Sequence, residues 1–350
     1  MQYIVTTNGI KHLKGRISLK KQNYNYVDLF CGAGGMSLGF DKAGFKNIFS
    51  VEYDKQIANT YNNNFPSHNL FVGDIKNLSE KDINNYINGL KIDVVVGGPP
   101  CQGFSMAGNN GRTFVDDPRN YLFKEFVRVV DIIKPSIFVM ENVSRVAIHN
   151  GGETLAEIIK TFNKIGYDVK SKVLQAADYG VPQKRQRIFI VGTRETNTFE
   201  YPVKEDSLMT IKDAIDDLPP LMSGEKSNIP NHIAMNHSEQ MLKKMSYIPD
   251  GGDRSYIPES IRPKSGDSRK YIKYDSNKPS FTVTGDNRKI FHYSQNRALT
   301  GRELARIQTF PDDFIFYGNS GSIQQQIGNA VPPKLAMKIA KSVKDFLERG

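Results

Sequence analysis

Tryptophan is absent and cysteine nearly so: the 350 residues include only Cys31 and Cys101. That count excludes a disulfide-stapled scaffold, and a lone pair of cysteines in a reducing compartment stays as thiols, available for packing or for chemistry. No stretch approaches the roughly 20 consecutive apolar residues that span a bilayer, and residues 1–16 lack the apolar run of a secretory signal. A cytoplasmic, soluble chain with no membrane partner is expected. The six histidines are scattered without ligand spacing, so no metal is expected either. Repeats and low-complexity tracts are missing, and the first 25 residues lack acid altogether while holding Lys11, Lys14, Arg16, Lys20 and Lys21.

What is present is positive charge. Lys and Arg number 47 against 37 Asp and Glu, a formal net charge of +10, which favours polyanionic partners. Residues 262–289 concentrate it, with eight basic against three acidic side chains. A chain of this length accommodates one sizeable core and a smaller second lobe. Apolar runs at 27–30, 48–51, 69–72, 92–96, 137–140 and 187–191 alternate with helical patterns, the signature of a parallel sheet covered by helices. Residues 195–296 change character, with Pro, Gly, Ser, Asn and Asp recurring every few positions. Periodicity returns at 297–350, where Leu335, Ile339, Val343 and Phe346 mark a closing amphipathic helix that Pro332 and Pro333 can start. The expected organisation is therefore a basic extension over 1–25, a main lobe over 26–194, a loop-rich lobe over 195–296 and a returning segment over 297–350.

The first run breaks into Phe30-Cys31-Gly32-Ala33-Gly34-Gly35-Met36-Ser37, a strand turning through glycines into a helix, where a ligand can approach bare backbone. Ser37 stands where a dinucleotide fingerprint needs its last glycine, which weakens a pyrophosphate role. Glu52 ends the second run and Asp74 the third, at the sheet edge where open α/β folds bind ligands. The first suits a ribose diol and the second an adenine amino group. With no phosphate-binding Lys or Arg nearby, the ligand reads as a nucleoside without phosphates, and S-adenosylmethionine fits.

The fourth run delivers Gly97-Gly98-Pro99-Pro100-Cys101-Gln102-Gly103-Phe104-Ser105 to the same edge. Prolines after glycines fix the backbone and hold a nucleophile in near-attack geometry, whereas a packing cysteine would sit inside an apolar run. The residues after Cys101 have the length and composition of an active-site lid. Glu141 ends the next strand, where enclosure would raise its carboxyl and keep it a proton donor. Arg185 and Arg187 precede the sixth run, share one side by the period of two, and suit a base carbonyl, DNA phosphates or a thiolate. Taken singly, each of these has a bland alternative in packing or exposed charge.

Together, and in this order, the motifs resemble those of the bacterial DNA cytosine C5-methyltransferases of restriction-modification systems. Residues 28–39 resemble the family's cofactor loop, 98–105 its nucleophile motif, 141–143 its acid motif and 183–187 its paired-arginine motif. Residues 297–311 resemble the segment supporting the recognition lobe, and 326–332 the one returning to flank the cofactor. The resemblance implies an α/β fold, a Rossmann-like S-adenosylmethionine-dependent methyltransferase sheet with a second, smaller, loop-rich target-recognition domain. It further implies that Phe30 stacks on the adenine, Glu52 binds the ribose and Asp74 the adenine amino group. Ala33, Gly34, Gly35, Tyr53, Ile75, Pro100, Leu122, Asn329 and Val331 would complete that site. Cys101 would add to cytosine C6, with Glu141 acting at N3, Arg187 at O2 and Arg185 alongside. S-adenosylhomocysteine would be the product.

The implied substrate is double-stranded DNA. Contacts are expected from Gln102, Ser105 and Arg119 in the lid, and from Arg269, Lys270, Tyr271, Lys273, Asn287, Arg288 and Lys289 in the second lobe. A monomer is expected, with a cognate restriction endonuclease as a functional partner. A tRNA cytosine C5-methyltransferase is the alternative, and a non-catalytic DNA-binding relative is disfavoured because no catalytic motif is broken.

Overall fold

The computed structural model describes residues 24–100, 121–194, 198–263 and 270–349. Strands β1 (Asn25–Leu29), β2 (Lys46–Glu52), β3 (Leu70–Val72), β4 (Val94–Gly97), β5 (Ile137–Val143), β6 (Asp168–Gln175) and β7 (Gln186–Thr193) form one sheet in the order β3-β2-β1-β4-β5-β7-β6. Helices α1 (Gly35–Lys42), α2 (Lys55–Asn64), α3 (Glu80–Ile87), α4 (Tyr121–Ile133) and α5 (Glu153–Lys164) lie between successive strands. The first five strands run parallel, and β1 occupies the middle, so its C-terminal end opens where the order reverses.

Burial alternates along the central strands. Tyr26, Val94, Val96, Ile137 and Val139 face one layer, and Val27, Leu29, Val95, Phe138 and Met140 face the other. The second layer meets Phe123, Phe126, Val129 and Val130 of α4. The first meets α1 and the last helix, which the segment beyond β7 supplies after α6 (Ile211–Ile215), α7 (Glu239–Ser246), the two-stranded parallel pair β8 (Ile272–Lys273) and β9 (Ile290–Phe291), α8 (Gly301–Ile307) and α9 (Ser320–Asn329). That closing helix, α10 (Pro333–Arg349), buries Leu335, Ile339, Val343 and Phe346 almost completely. Each such side chain contributes about 1.5–3 kcal/mol, well above the few tenths expected of the surface pair between Lys338 and Glu205. Gly39 makes the contact close, since a Cβ there would lie 2.4 Å from the Ala336 methyl. No helix among the described residues is long and apolar enough to cross a membrane.

Two features depart from the all-parallel expectation. The sixth apolar run, β7, pairs antiparallel with β5, and it does so because a seventh strand, β6, precedes it as a hairpin partner. No crossover helix separates β6 from β7, only the single turn Ala176–Tyr179 and a short loop, so the chain must reverse. β6 is an edge strand carrying Lys170, Ser171 and Lys172 and is mostly exposed, and so it has no apolar run to announce it.

The smaller lobe is largely irregular. Its own cluster is slight, Met245, Ile248, Ile257 and Phe291, and most of its apolar side chains join a larger cluster with Leu304, Ile307, Phe310, Phe314 and Ile327 from the returning segment. α8 is the junction. Thr300 and Glu303 form a capping box, and buried Arg297 grips the Glu303 carboxylate at 2.8 and 2.5 Å. Burial pushes that carboxyl up, but the Arg297 pair overrides it and holds it below its ordinary value. Its contribution to stability is therefore full above the unfolded-state value and lost only as pH falls through the lowered folded one.

Removing one partner strands the other charge. Arg297→Leu should lower stability by about 3–5 kcal/mol, and the double change Arg297→Leu with Glu303→Leu should recover much of it. Urea unfolding midpoints check both; equal loss in the single and double variants would contradict the pairing.

Candidate active site

Where β1 ends, the backbone is forced into the left-handed region at Phe30 (φ 63°), Gly32 and Gly34. For phenylalanine this is an uncommon conformation that costs of order 1–3 kcal/mol, a strain that clusters at functional sites. The turn is squeezed from both sides: a Cβ at Gly34 would lie 2.3 Å from the Phe65 ring, and one at Gly35 2.2 Å from the Val331 carbonyl oxygen. Glu52, at the end of β2, accepts from the Gly32 amide at 2.9 Å and the Asp54 amide at 2.8 Å, tying two strand ends together. Burial raises its carboxyl.

Beneath the turn lies a polar relay. The Ser37 hydroxyl donates to Asp28 at 2.6 Å and meets the Tyr61 hydroxyl, which also contacts Ser50 and His68. Burial pushes the Asp28 carboxyl up to about 7, the Ser37 bond opposes, and the Asp41 and Glu52 charges add to the rise. Its second oxygen, Oδ1, is buried and has no partner among the described residues. Cys31 is buried too, and burial with the neighbouring Asp28 and Glu52 charges pushes its thiol well up, so it stays protonated and is a poor nucleophile.

A cavity of about 710 Å³ opens over this edge. Of the residues expected to hold the cofactor, Phe30, Ala33, Gly35, Glu52, Tyr53, Pro100, Leu122, Asn329 and Val331 line it. Gly34, Asp74 and Ile75 are not among its lining residues. Gly34 backs onto Phe65, Asp74 caps the short helix Ile75–Asn77 through the Lys76 amide, and Ile75 is buried in the core. Asp28, Asn142 and Gln326, which lie in the expected motifs but were not singled out as site residues, also line the cavity, as does Ile57, which lies outside those motifs. S-adenosylmethionine is cationic at sulfur and at its amino group and carries no phosphate. The orphaned Asp28 oxygen, the Glu52 carboxylate and the apolar Phe30 and Ile57 walls fit those requirements.

The opposite wall comes from β5 and β7. Arg187 Nε lies 2.9 Å from Glu141 Oε1, and both line the cavity. Burial raises the Glu141 carboxyl in spite of the opposing charges of Arg187 and Arg185. Arg185 does not line the cavity. It is fully buried behind this pair, donates to the Val283 carbonyl at 3.3 Å, and keeps Nε and Nη2 without a partner among the described residues. Burial and the neighbouring Arg187 charge lower its guanidinium to about 9. Asn142 donates to the Pro99 carbonyl at 3.0 Å, and a Cβ at Gly98 would lie 3.0 Å from the Glu141 carboxylate. The segment leading to Cys101 is thus pinned against Glu141. Cys101, Gln102, Ser105 and Arg119 lie outside the described residues, as does Arg269.

Around β8 and β9 the basic residues divide. Lys270 and Arg288 pair with Asp286, and the Lys289 ammonium sits 4.9 Å from the Tyr271 ring. Lys273 and Asn287, expected to face DNA, are instead turned inward: Lys273 donates to Asn296, and Asn287 donates its backbone amide to the Gln324 side chain and its side-chain amide to the Thr284 carbonyl. Polar residues in a loop-rich stretch carry no periodicity that separates an inward from an outward position.

The sequence matches the family of C-5 cytosine-specific DNA methylases over residues 24–345. It is 56% identical to the type II methyltransferase M1.HphI of Haemophilus parahaemolyticus, over 95% of this chain and 90% of that one. It is 36% identical to the type II methyltransferase M.PspPI of a Psychrobacter species, over 92% and 79%. Among solved structures, a protein described as a DNA modification methyltransferase encoded within an Escherichia coli prophage superposes with a TM-score of 0.76 at 27% identity, covering 93% of this chain and 100% of that one. On the sheet order, the two-walled cavity and these matches, the chain belongs to the C-5 cytosine-specific DNA methylase family.

Proposed function

We propose that this protein is a type II methyltransferase that transfers a methyl group from S-adenosylmethionine to C5 of a cytosine in a specific duplex DNA sequence. The observation that carries the reading is the pair of buried Glu141 and half-buried Arg187 facing a cavity whose other wall is acidic and aromatic. S-adenosylmethionine supplies an electrophilic methyl group, and everything else falls to the protein. Cytosine C5 is a weak nucleophile, so the Cys101 thiolate adds to C6, with electron density passing toward C5 and N3. Glu141, its carboxyl raised by burial, donates toward N3, while Arg187 holds the O2 oxygen and fixes the Glu141 carboxyl. C5 takes the methyl group, a base removes the C5 proton, and the C6–S bond breaks to return the thiolate. The unpartnered Arg185 nitrogens are buried donors suited to negative charge near this wall.

Because C6 is shielded inside a duplex, the base must leave the stack, at about a few kcal/mol that contacts from residues 195–296 and from the lid after Cys101 would offset. The names of the relatives support DNA over tRNA as substrate and a cognate restriction endonuclease sharing the site. The buried, protonated Cys31 argues against a scheme with two catalytic cysteines.

A duplex with 5-fluorocytosine at the target position cannot lose its C5 substituent as a proton. It should trap a denaturation-stable adduct with the wild-type protein and S-adenosylmethionine, and none with Cys101→Ala. An adduct formed by Cys101→Ala would overturn the assignment. Glu141→Gln should lower kcat by about 10²–10⁴-fold. The sign follows from the raised carboxyl: the protonated form is active, so the rate falls as pH rises through the Glu141 value, and this alkaline limb should vanish in Glu141→Gln. A pH–rate profile of both proteins checks it.

A further inference from the structure

Resting on the reading that duplex DNA is the substrate, we propose that Arg288, oriented by Asp286, reads a guanine in the recognised sequence. A guanidinium is a planar fork of five N–H donors, with a side edge at Nε and one Nη and an end edge between the two Nη atoms. Asp286 takes the side edge: Arg288 Nε donates to Oδ1 at 2.9 Å and Nη2 to Oδ2 at 3.3 Å. The end edge keeps Nη1 without a partner among the described residues, on a side chain that is two-thirds exposed. Two parallel donors at that edge match the O6 and N7 acceptors of guanine in the major groove.

Three observations turn an exposed ion pair into a reading head. First, Lys270 Nζ lies 2.7 Å from Asp286 Oδ2, so the carboxylate is braced from both sides, and these bonds hold it well below the usual carboxylate range. It therefore stays ionised wherever the enzyme is assayed. Second, the loop beneath is clamped. The Asn287 amide donates to the Gln324 side chain at 2.8 Å, and Gly328 leaves no space for a Cβ, which would lie 2.5 Å from the Thr284 backbone. These partners belong to α9, whose Gln326 and Asn329 line the catalytic cavity, so the loop and the cavity share one rigid support. Third, hollows of about 380 and 270 Å³ flank Asp286 and Arg288 on either side, floored in part by Met235 and Met241. Polarisable, adaptable side chains beside an oriented donor fork suit the edge of a base better than a bare phosphate.

Lys270 completes the arrangement differently. A point charge on a flexible stem has no fork, and its role is to balance Asp286 and to attract the phosphate backbone.

The test methylates a library of duplexes with randomised sequence and maps modified cytosines by bisulfite sequencing. Wild type should yield one motif that contains, on either strand, a guanine besides the one paired to the target cytosine. Arg288→Ala should relax one guanine position by about 5- to 150-fold while other positions hold. Arg288→Lys should relax it equally, since charge without a fork cannot make two parallel bonds. Asp286→Asn should relax the same position in part, and Lys270→Ala should lower methylation evenly across sequences. The proposal is overturned if Arg288→Ala lowers the rate evenly with the motif intact, if Arg288→Lys retains the wild-type motif, or if the wild-type motif has no guanine on either strand besides the one paired to the target cytosine. An Asp286→Asn protein with an unchanged motif overturns the positioning role. Failure of the underlying reading is seen separately, as wild-type protein that modifies no duplex at all.

Discussion

Two buried glutamine side chains hold the two lobes in register. Gln183, in the loop before β7, donates to Gln308 at 2.8 Å and accepts from the Val283 amide at 2.9 Å, and Gln308, just past α8, donates to the Ile327 carbonyl at 2.6 Å. Neither side chain is exposed. A primary amide both donates and accepts, so the pair passes a hydrogen bond through four segments that no single strand or helix connects. A hydrocarbon in either place would leave buried backbone groups unsatisfied, at about 1–3 kcal/mol each. Through this relay the paired arginines, the loop above β9 and the floor of the cavity take their positions together.

Around the cavity the charges are sorted. Carboxyls at Asp28 and Glu52 line it on the side of β1 and β2, and the Arg187 guanidinium lines it on the side of β7, with buried Arg185 beside Arg187 but outside the lining. Burial acts on Asp28, Glu52 and Arg185 in the same sense, against the charged form, which raises the two carboxyls and lowers the guanidinium. At Glu141 this desolvation outweighs two neighbouring positive charges, so the carboxyl is raised even beside arginine.

Much of this was legible in the sequence because it rests on local pattern. The central strands are apolar runs buried on both faces, and Leu335, Ile339, Val343 and Phe346 fall on one helical stripe. Glu52 and Glu141 were found because strand ends in a parallel sheet converge. β6 was not found, since an edge strand with lysines has no run to detect, and its absence left the direction of β7 wrong. Asp28 heads the expected cofactor loop, but a carboxylate inside an apolar strand reveals its own role only once Ser37 and Tyr61 are seen beside it. Lys273 and Asn287 looked like surface groups, and only their partners Asn296, Gln324 and Thr284 show them to be inward.

The close seating of α10 on α1 bears on how the protein comes into being. The glycine turn emerges from a ribosome early, but the carbonyl of Val331 that closes against Gly35, and the Ala336 methyl that closes against Gly39, arrive some 300 residues later. At about 5–20 residues per second that interval is tens of seconds, during which the strands can pair around an unfinished floor. Contacts this distant in sequence also carry a high loop-closure cost before they repay it. A nascent or prematurely ended chain lacking residues 326–349 therefore holds the glycine turn, Glu52 and Glu141 without the Gln326, Asn329 and Val331 wall of the cavity and without the helix that packs over α1.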